Sequence, residues 1–447
     1  MRYTKKEDGK FHIKGKKYDL LDGSRAQVWH GTAYKTTGGL VKDDLTKNKF
    51  KSAEFHQLRL AFEEVSGEDL NWFFNQWYLG KAHPILDIEQ KVNTSTSTVE
   101  VNLKQSQNLE LAPIFKLPMH VAVYDSLGKH IYPIVFEKLN ESFTFPFKGV
   151  LKCIIVDDQQ MLLAKKREEK PSDQYVFQYY NSTEYKTRKE GLLKGINTSD
   201  KVKDKLILDA LKDPFWNIRL NAIQLIGKLS SDTKKEGIDS VKEILVNDPK
   251  SQVREAAIQS LTKNLEPLSA QSICIERIDN DSSYLVVGAG LVFLGQINPE
   301  EALLKARNLE NENSSSLKLA ISQIYAGFGN KSESSFFQNA LKNQRLSALD
   351  EVGVLSSYSM FLVRHDLETI TKASETYEYI SKNGGYYSKM FYAQNIDYLQ
   401  KHLTEKLVEL NALLSVYEKE KNEAETLKTK EEIIECEKLS VKFKAML

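Results

Sequence analysis

The sequence predicts a multidomain α+β protein: a short helical segment, a small β-sandwich, and then a long all-α region of repeated helical hairpins. Three observations predict it. The stretch NWFFNQW (71–77) crowds aromatics onto a helical period that stops at Gly80. From Ile85 the period becomes that of strands, with roughly six strand-like segments in about 80 residues and no helical pattern between them. From residue 183 the period is helical again, and part of it repeats at intervals in the low thirties.

The first 45 residues hold glycine, lysine and isolated aromatics without sustained periodicity, and form a poorly defined N-terminal segment (1–45). Residues 46–82 read as a pair of helices. Phe55, Leu58, Phe62 and Val65 follow the 3.6-residue period, Ser52 is the expected cap, and Gly67 follows the end. The second helix opens on SGED, where Ser66 and Asp69 have the spacing of a capping pair. Leu70, Phe73, Phe74 and Trp77 stand at i, i+3, i+4 and i+7 on one face, flanked by Trp72 and Tyr78. Gly80 is the expected left-handed cap, and Pro84 prevents continuation.

Residues 83–165 form the sandwich. STVEVNL alternates at Val99, Val101 and Leu103, and MHVAVYDSLGKHIYPIVF reads as two strands around a Ser-Leu-Gly turn. SFTFPF alternates phenylalanines, and GVLKCIIV is a continuous apolar run suited to a buried strand. The charged stretch 164–174 is the expected exit linker.

Residues 183–447 are helical in period. DPFWNIRLNAIQLIGKL (213–229) aligns with DPKSQVREAAIQSLTKN (248–264) at an offset of 35, matching Asp213 to Asp248, Ile218 to Val253, Arg219 to Arg254 and Ala222 to Ala257. DSSYLVVGAGLVFLG (281–295) continues 33 further on through Val286, Gly290, Leu291 and Leu294. SLKLAISQIYAG (316–327) follows 31 later through Leu317 and Tyr325, and YKTRKEGLL (185–193) reads as a partial earlier copy. Asp-Pro followed by Val-Arg-x-x-Ala at this period resembles HEAT-type hairpin repeats. The repeating aspartates and arginines are expected to pair between neighbouring hairpins and set their stacking. Beyond residue 400 the charge-rich helices read as a solvated terminal hairpin.

Composition narrows the function. The 447 residues suffice for about three domains, and 41% apolar with 28% charged residues is ordinary for globular cores. Lysine plus arginine (62) balances aspartate plus glutamate (61), leaving no electrostatic footprint for nucleic acid or an anionic membrane. Cys153, Cys274 and Cys436 lie far apart, as buried thiols do, with no C-x-x-C pair. No run approaches the roughly 18 apolar residues of a transmembrane helix, and the basic N-terminus lacks a signal peptide's apolar core. The chain therefore reads as soluble.

The search for chemistry finds no catalytic, metal-ligating or substrate-binding residues to assign. No two of His12, His30, His56, His83, His120, His130, His365 and His402 stand three or four residues apart, and H-E-x-x-H is absent. His120 and His130 fall on neighbouring predicted strands, but pairing about the turn puts His130 beside Val123. There is no G-x-S-x-G and no phosphate-binding G-x-x-x-x-G-K-[ST], and GAGLVFLG (288–295) falls inside a repeat, where glycines serve packing.

One resemblance stands beside this reading. FHQLRLAFEEVSGEDLNWFFNQWYLGKAHPILDI (55–88) resembles the end of the catalytic domain in the aminopeptidase N family of zinc metallopeptidases. There a W-F-F-x-x-W segment, a glycine and a P-x-L lead into a β-sandwich. VEVNLKQSQ (99–107) and FKLPMHVAVYDSLGK (115–129) resemble that family's sandwich strands, and its members with HEAT-like C-terminal helices resemble 183–447. The resemblance implies removal of N-terminal residues from peptides, with zinc held by two histidines and a glutamate and a helical domain closing over the site. The chain departs from this pattern: H-E-x-x-H and the substrate-gripping G-x-M-E-N are both absent. AYKTTGGL (33–40) echoes the family's transition-state tyrosine through Tyr34, with spacing one residue too long. The expectation is the C-terminal part of such a peptidase, holding no zinc and inactive alone, with a peptide or a catalytic-domain partner. The alternative is a non-enzymatic HEAT-repeat scaffold binding a protein on its concave face.

Overall fold

The computed structural model describes residues 54–343 and 346–446, and before them three short strands, β1 (Thr4–Lys5), β2 (Phe11–Ile13) and β3 (Lys16–Tyr18), paired antiparallel in that order. Two compact units divide the chain at Leu206/Ile207.

In the first unit, α1 (Phe55–Ser66) starts at Glu54, which exchanges a reciprocal pair of capping hydrogen bonds with Gln57, and ends at Gly67 in the left-handed region; the expected cap, Ser52, lies outside the described residues. Glu63 accepts from Arg59 at 2.6 Å and from the Leu70 N–H at 2.8 Å, joining α1 to its successor. Ser66 and Asp69 do not pair with each other: Ser66 accepts from the Glu68 N–H, and Asp69 from the Asn71 N–H that opens α2 (Asn71–Phe74).

Leu70, Phe73 and Phe74 are buried against Leu58 and Phe62. Trp77 packs at the edge of this same cluster, where residues Asn75–Leu79 form a π turn. Its wider i→i+5 spacing shifts the register after Phe74, so Trp77 is half-buried and reaches Phe115 of the next core at 5.5 Å. Gly80 is also not the left-handed cap: its φ of −72° and ψ of 162° are extended. Glycine is needed there for space, since a Cβ would lie 2.5 Å from the Gln76 carbonyl oxygen.

Two sheets follow. One runs β10 (Lys165–Glu168), β4 (Ile85–Asn93), β5 (Thr98–Gln105), β8 (Asn140–Pro146); the other runs β7 (Gly128–Phe136), β6 (Leu117–Asp125), β9 (Cys153–Val156). The expected alternation holds in β5, with Val99, Val101 and Leu103 buried, and they share one core with Met119, Val121, Val123, Phe136, Ile154 and Val156 of the facing sheet. The expected linker is instead partly strand: β10 pairs parallel with β4, Lys165 opposite Ile85 and Arg167 opposite Asp87. α3 (Ser172–Asn181) then covers the outer face of β6 and β9 through Phe177, which packs on Ala122, Tyr124, Cys153 and Ile155. α4 (Tyr185–Gly195) lies so close to α3 that a Cβ on Gly191 would fall 2.7 Å from backbone atoms of Tyr175 and Tyr179.

α5 (Asp200–Leu211) crosses the division. The second unit continues with α6 (Trp216–Leu225), α7 (Ser231–Asn247), α8 (Ser251–Asn264), α9 (Pro267–Asn280), α10 (Tyr284–Ile297), α11 (Pro299–Asn308), α12 (Ser315–Phe328), α13 (Ser334–Asn343), α14 (Ala348–Leu362), α15 (Leu367–Asn383), α16 (Tyr386–Lys419) and α17 (Glu423–Lys444). From α6 to α16 the even-numbered helices pack on one another in succession as one layer. The repeat positions explain the stacking, because Ile218, Val253, Val286 and Leu317, each at the same place in its hairpin, are all fully buried. A single apolar cluster runs from Cys274 to Phe443, rich in aromatics such as Tyr325, Phe337, Tyr358 and Tyr377.

Candidate functional site

The histidines do not converge among the described residues. Tyr34, His12 and His30 lie outside the residues whose side chains are described. His56 is exposed beside Glu54, and His83 is exposed. His120 faces Pro133 and His130 faces Val123, as the turn pairing predicts. His130 Nε2 lies 3.1 Å from Asp125 Oδ1, whereas His120 Nδ1 is enclosed without a partner. His365, just past the end of α14, contacts the Phe361 carbonyl (2.8 Å) and stacks on that ring. Burial, helped by Lys406, holds the His402 imidazole below its usual range. Among the described residues no three His, Cys, Asp or Glu side chains are grouped to hold a metal ion.

A dense polar constellation lies where β10 meets α3 and α4. Lys170 and Glu168, with side chains only 2% and 8% exposed, pair at 3.1 Å, and the Lys170 ammonium also donates to the Ile154 carbonyl at 3.0 Å. Tyr175 Oη donates to the Glu168 carbonyl at 3.0 Å, and Lys194 Nζ donates to the same oxygen at 2.7 Å and to Tyr175 Oη at 3.1 Å. Burial alone would depress the Lys170 ammonium, but the neighbouring Glu168 outweighs it and keeps the charge. Burial pushes the nearby Cys153 thiol up to about 11, against the pull of Lys170. A thiol that stays protonated beside an ammonium that stays charged supplies neither nucleophile nor base near neutral pH. The constellation fastens the α3–α4 hairpin to the sheet. Cys274 and Cys436 are likewise buried and raised, to about 12 and about 11.

The outer face of the four-stranded sheet carries an open groove of about 770 Å3 lined by Asp87, Glu89, Asn102, Lys104, Ser142 and Arg167. Its groups answer one another: Arg167 faces Asp87 at 3.6 Å, and Ser142 donates to Asn102 at 2.5 Å. This is a hydrogen-bonding surface without a nucleophile–base pair.

In the second unit the repeating aspartates and arginines form rungs between hairpins. Arg219 makes a bidentate pair with Asp248 (2.6 and 2.9 Å), and Arg254 repeats it with Asp281 (2.9 and 2.7 Å). Each arginine also donates to a carbonyl at the start of its own hairpin, Arg219 to Asp213 (2.9 Å) and Arg254 to Asp248 (2.8 Å). Each aspartate caps the chain two residues on, accepting from the Phe215, Lys250 and Ser283 N–H groups. With both ends occupied, these residues act in stacking. Val287 stands at the next arginine position and the series of rungs stops there.

The buried Lys170–Glu168 pair was not anticipated from sequence. Its only trace is a charged run on a strand whose alternate positions point inward, a pattern that also describes a linker.

No helix among the described residues is long and apolar enough to cross a membrane. Residues 204–295 match the HEAT repeats family, and residues 22–62 match the DVNP family. A comparison with curated protein sequences finds no match. Among solved structures, the fold is similar to that of Legionella pneumophila aminopeptidase A, crystallised in complex with aspartic acid, with a TM-score of 0.52 and 13% identity over 91% of this chain. At that identity the likeness is one of fold. The chain spans about half, 54%, of that protein's length.

Proposed function

We propose that the chain is the C-terminal part of an aminopeptidase N-like zinc metallopeptidase, lacking the zinc-binding half and inactive by itself. On this reading residues 46–82 are the end of a catalytic-type domain, 83–165 a β-sandwich domain and 183–447 a HEAT-like helical domain, after a poorly defined N-terminal segment, 1–45. The observation that carries it is the passage at Gly80, where the aromatic helix pair hands over through Pro84 to the two-sheet region. The fold likeness to a solved aminopeptidase across 91% of the chain supports the same order of parts. The residues present do not fit zinc: the sequence has no H-E-x-x-H, and no metal-holding group occurs among the described residues. No hydrolytic step is therefore assigned to this chain, and its part would be to cover a site carried elsewhere. Mixing the chain with a separately produced H-E-x-x-H catalytic half tests the reading. Association with a change in the peptide lengths cleaved is expected, and two halves that never associate would overturn it.

A non-enzymatic scaffold is the second reading, favoured by the HEAT-repeat match over 204–295. Unaltered cleavage by the catalytic half, alongside binding of an unrelated protein, would favour it.

A further inference from the structure

Two helices end in the same way on an asparagine. Asn383 is the last residue of α15 and Asn181 the last of α3, and both are exposed. Each donates from Nδ2 to the carbonyl four residues back, Asn383 to Tyr379 at 3.1 Å and Asn181 to Phe177 at 2.8 Å. The N–H of the next residue closes each last turn, Gly384 onto Ile380 at 2.8 Å and Ser182 onto Gln178 at 3.1 Å. The two sites differ in that next residue, and Asn383–Gly384 is the only Asn-Gly pair in the sequence. Packing requires the glycine: a Cβ on Gly384 would fall 2.6 Å from the Ile380 carbonyl oxygen and 2.9 Å from Ile380 Cγ2. Gly385 follows, and its N–H donates to Glu351 Oε1 of α14 at 3.4 Å.

We propose that Asn383 is a site of spontaneous covalent modification, converted with Gly384 through a cyclic imide to aspartate and isoaspartate, and that the product loosens the α15–α16 turn. A helix end frays before its interior, and fraying frees both the Asn383 amide and the Gly384 nitrogen. That nitrogen bonds to Asn383 Cγ, the Cγ–Nδ2 bond breaks, and Nδ2 leaves as ammonia with the Gly384 amide proton. Water then opens the ring at one of its two carbonyl carbons, giving a side-chain carboxylate or a main chain rerouted through Cβ. Glycine, with no Cβ, reaches the ring geometry unhindered, whereas Ser182 carries a Cβ beside the attacking nitrogen. Both products place a negative charge at the C-terminal end of α15, where the helix dipole opposes it. The rerouted chain is also one methylene longer, which displaces the Gly384–Ile380 and Gly385–Glu351 hydrogen bonds. The inference does not rest on the peptidase reading.

The test is to age the full chain at mildly alkaline pH and follow its asparagines by mass spectrometry of tryptic peptides. Cleavage after Lys382 and Lys389 isolates Asn383 in the peptide 383–389, and isoaspartate-specific methylation identifies the rerouted product. Conversion at Asn383 is expected to run about tenfold faster than at Asn181, through the lower barrier that an unhindered backbone gives. Asn383→Gln, whose closure needs a larger ring, is expected to stop it without moving the thermal midpoint. Amide exchange over 380–388 should quicken in the aged chain and keep its fresh rate in aged Asn383→Gln. An Asn383 that keeps its amide, or converts no faster than Asn181, would overturn the proposed site. Full conversion with unchanged exchange over 380–388 would overturn the loosening.

Discussion

Arg219 reaches across one hairpin boundary, and that reach sets the scale of its effect. Both oxygens of Asp248 are held by its guanidinium, and the same arginine satisfies the Asp213 carbonyl. Removing either partner strands the other at a largely enclosed site, where an unpaired polar group costs about 1 to 3 kcal/mol. Arg219→Ala and Asp248→Ala should each lower stability by that amount. The double variant should lose less than the sum of the two, because the second truncation removes a group already left unpaired. Denaturation midpoints that do not move in either single variant would return these residues to a surface role. The second rung adds a pH dependence. Burial works to raise the Asp281 carboxyl, but the Arg254 guanidinium and the Ser283 N–H outweigh it and hold the group below the ordinary carboxylate range. A folded-state value below the unfolded one, near 3.9, contributes stability that is fully present above the unfolded value. It is lost as pH falls through the folded value. The stability gap between the native chain and Asp281→Asn should therefore be widest between about pH 5 and 7 and close progressively below about pH 4. A gap that stays constant from pH 7 to pH 2.5 in urea titrations would show that the carboxylate charge plays no part in the rung.

At the scale of elements, close approach and register decide what sequence periodicity alone cannot. Gly191→Ala makes the point by opposing two effects. Alanine improves helix propensity by about 1 kcal/mol, but its methyl would meet the α3 backbone at 2.7 Å, and backbone cannot swing aside as a side chain can. Overpacking costs typically ~1–3 kcal/mol, so the net change should be a loss, read as a lower thermal midpoint and faster amide exchange across residues 172–195. The aromatic helix gives a graded pair. Phe74→Ala, deep in its cluster, should cost about 3 to 5 kcal/mol, and half-buried Trp77→Ala about half of that. Equal losses would show that Trp77, at the edge of the cluster, is as fully enclosed as Phe74. The sequence carried the strands of the two sheets wherever apolar residues alternate, as at Val99, Val101 and Leu103, and carried the hairpins wherever a buried position repeats. It could not carry the π turn, since one extra residue in a turn leaves the local sequence unchanged. Nor could it carry β10, whose inward positions are Lys166 and Glu168: they are satisfied by Asp157 and Gln90, partners made only by folding. The absence of an H-E-x-x-H pattern was fully legible, because that chemistry needs two imidazoles one helical turn apart. The Lys170 clamp was not, because burial of a charged pair has no local signature.

For the molecule as a whole the decisive quantity is metal content. Zinc hydrolysis requires about three protein ligands around an open fourth position, which brings the bound water's pKa to about 7. Eight histidines without an i, i+4 pair leave no helix able to present two imidazoles to one ion, and no alternative donor group gathers among the described residues. Tyr34, if it is the counterpart of the family's tyrosine, could stabilise only a transition state that needs a metal-activated nucleophile to form. The purified chain should therefore retain far less than one equivalent of zinc after dialysis and release no aminoacyl chromophore above the buffer rate. Zinc near one equivalent by elemental analysis, together with chelator-sensitive release, would mean a site assembled with residues outside those described. It would restore catalysis to this chain. Activity that appears only when a separate catalytic half is added, and whose peptide-length preference then shifts, would instead support a covering role for the helical unit. The two results differ in one respect: in the second case the zinc travels with the added half through gel filtration in the chain's absence.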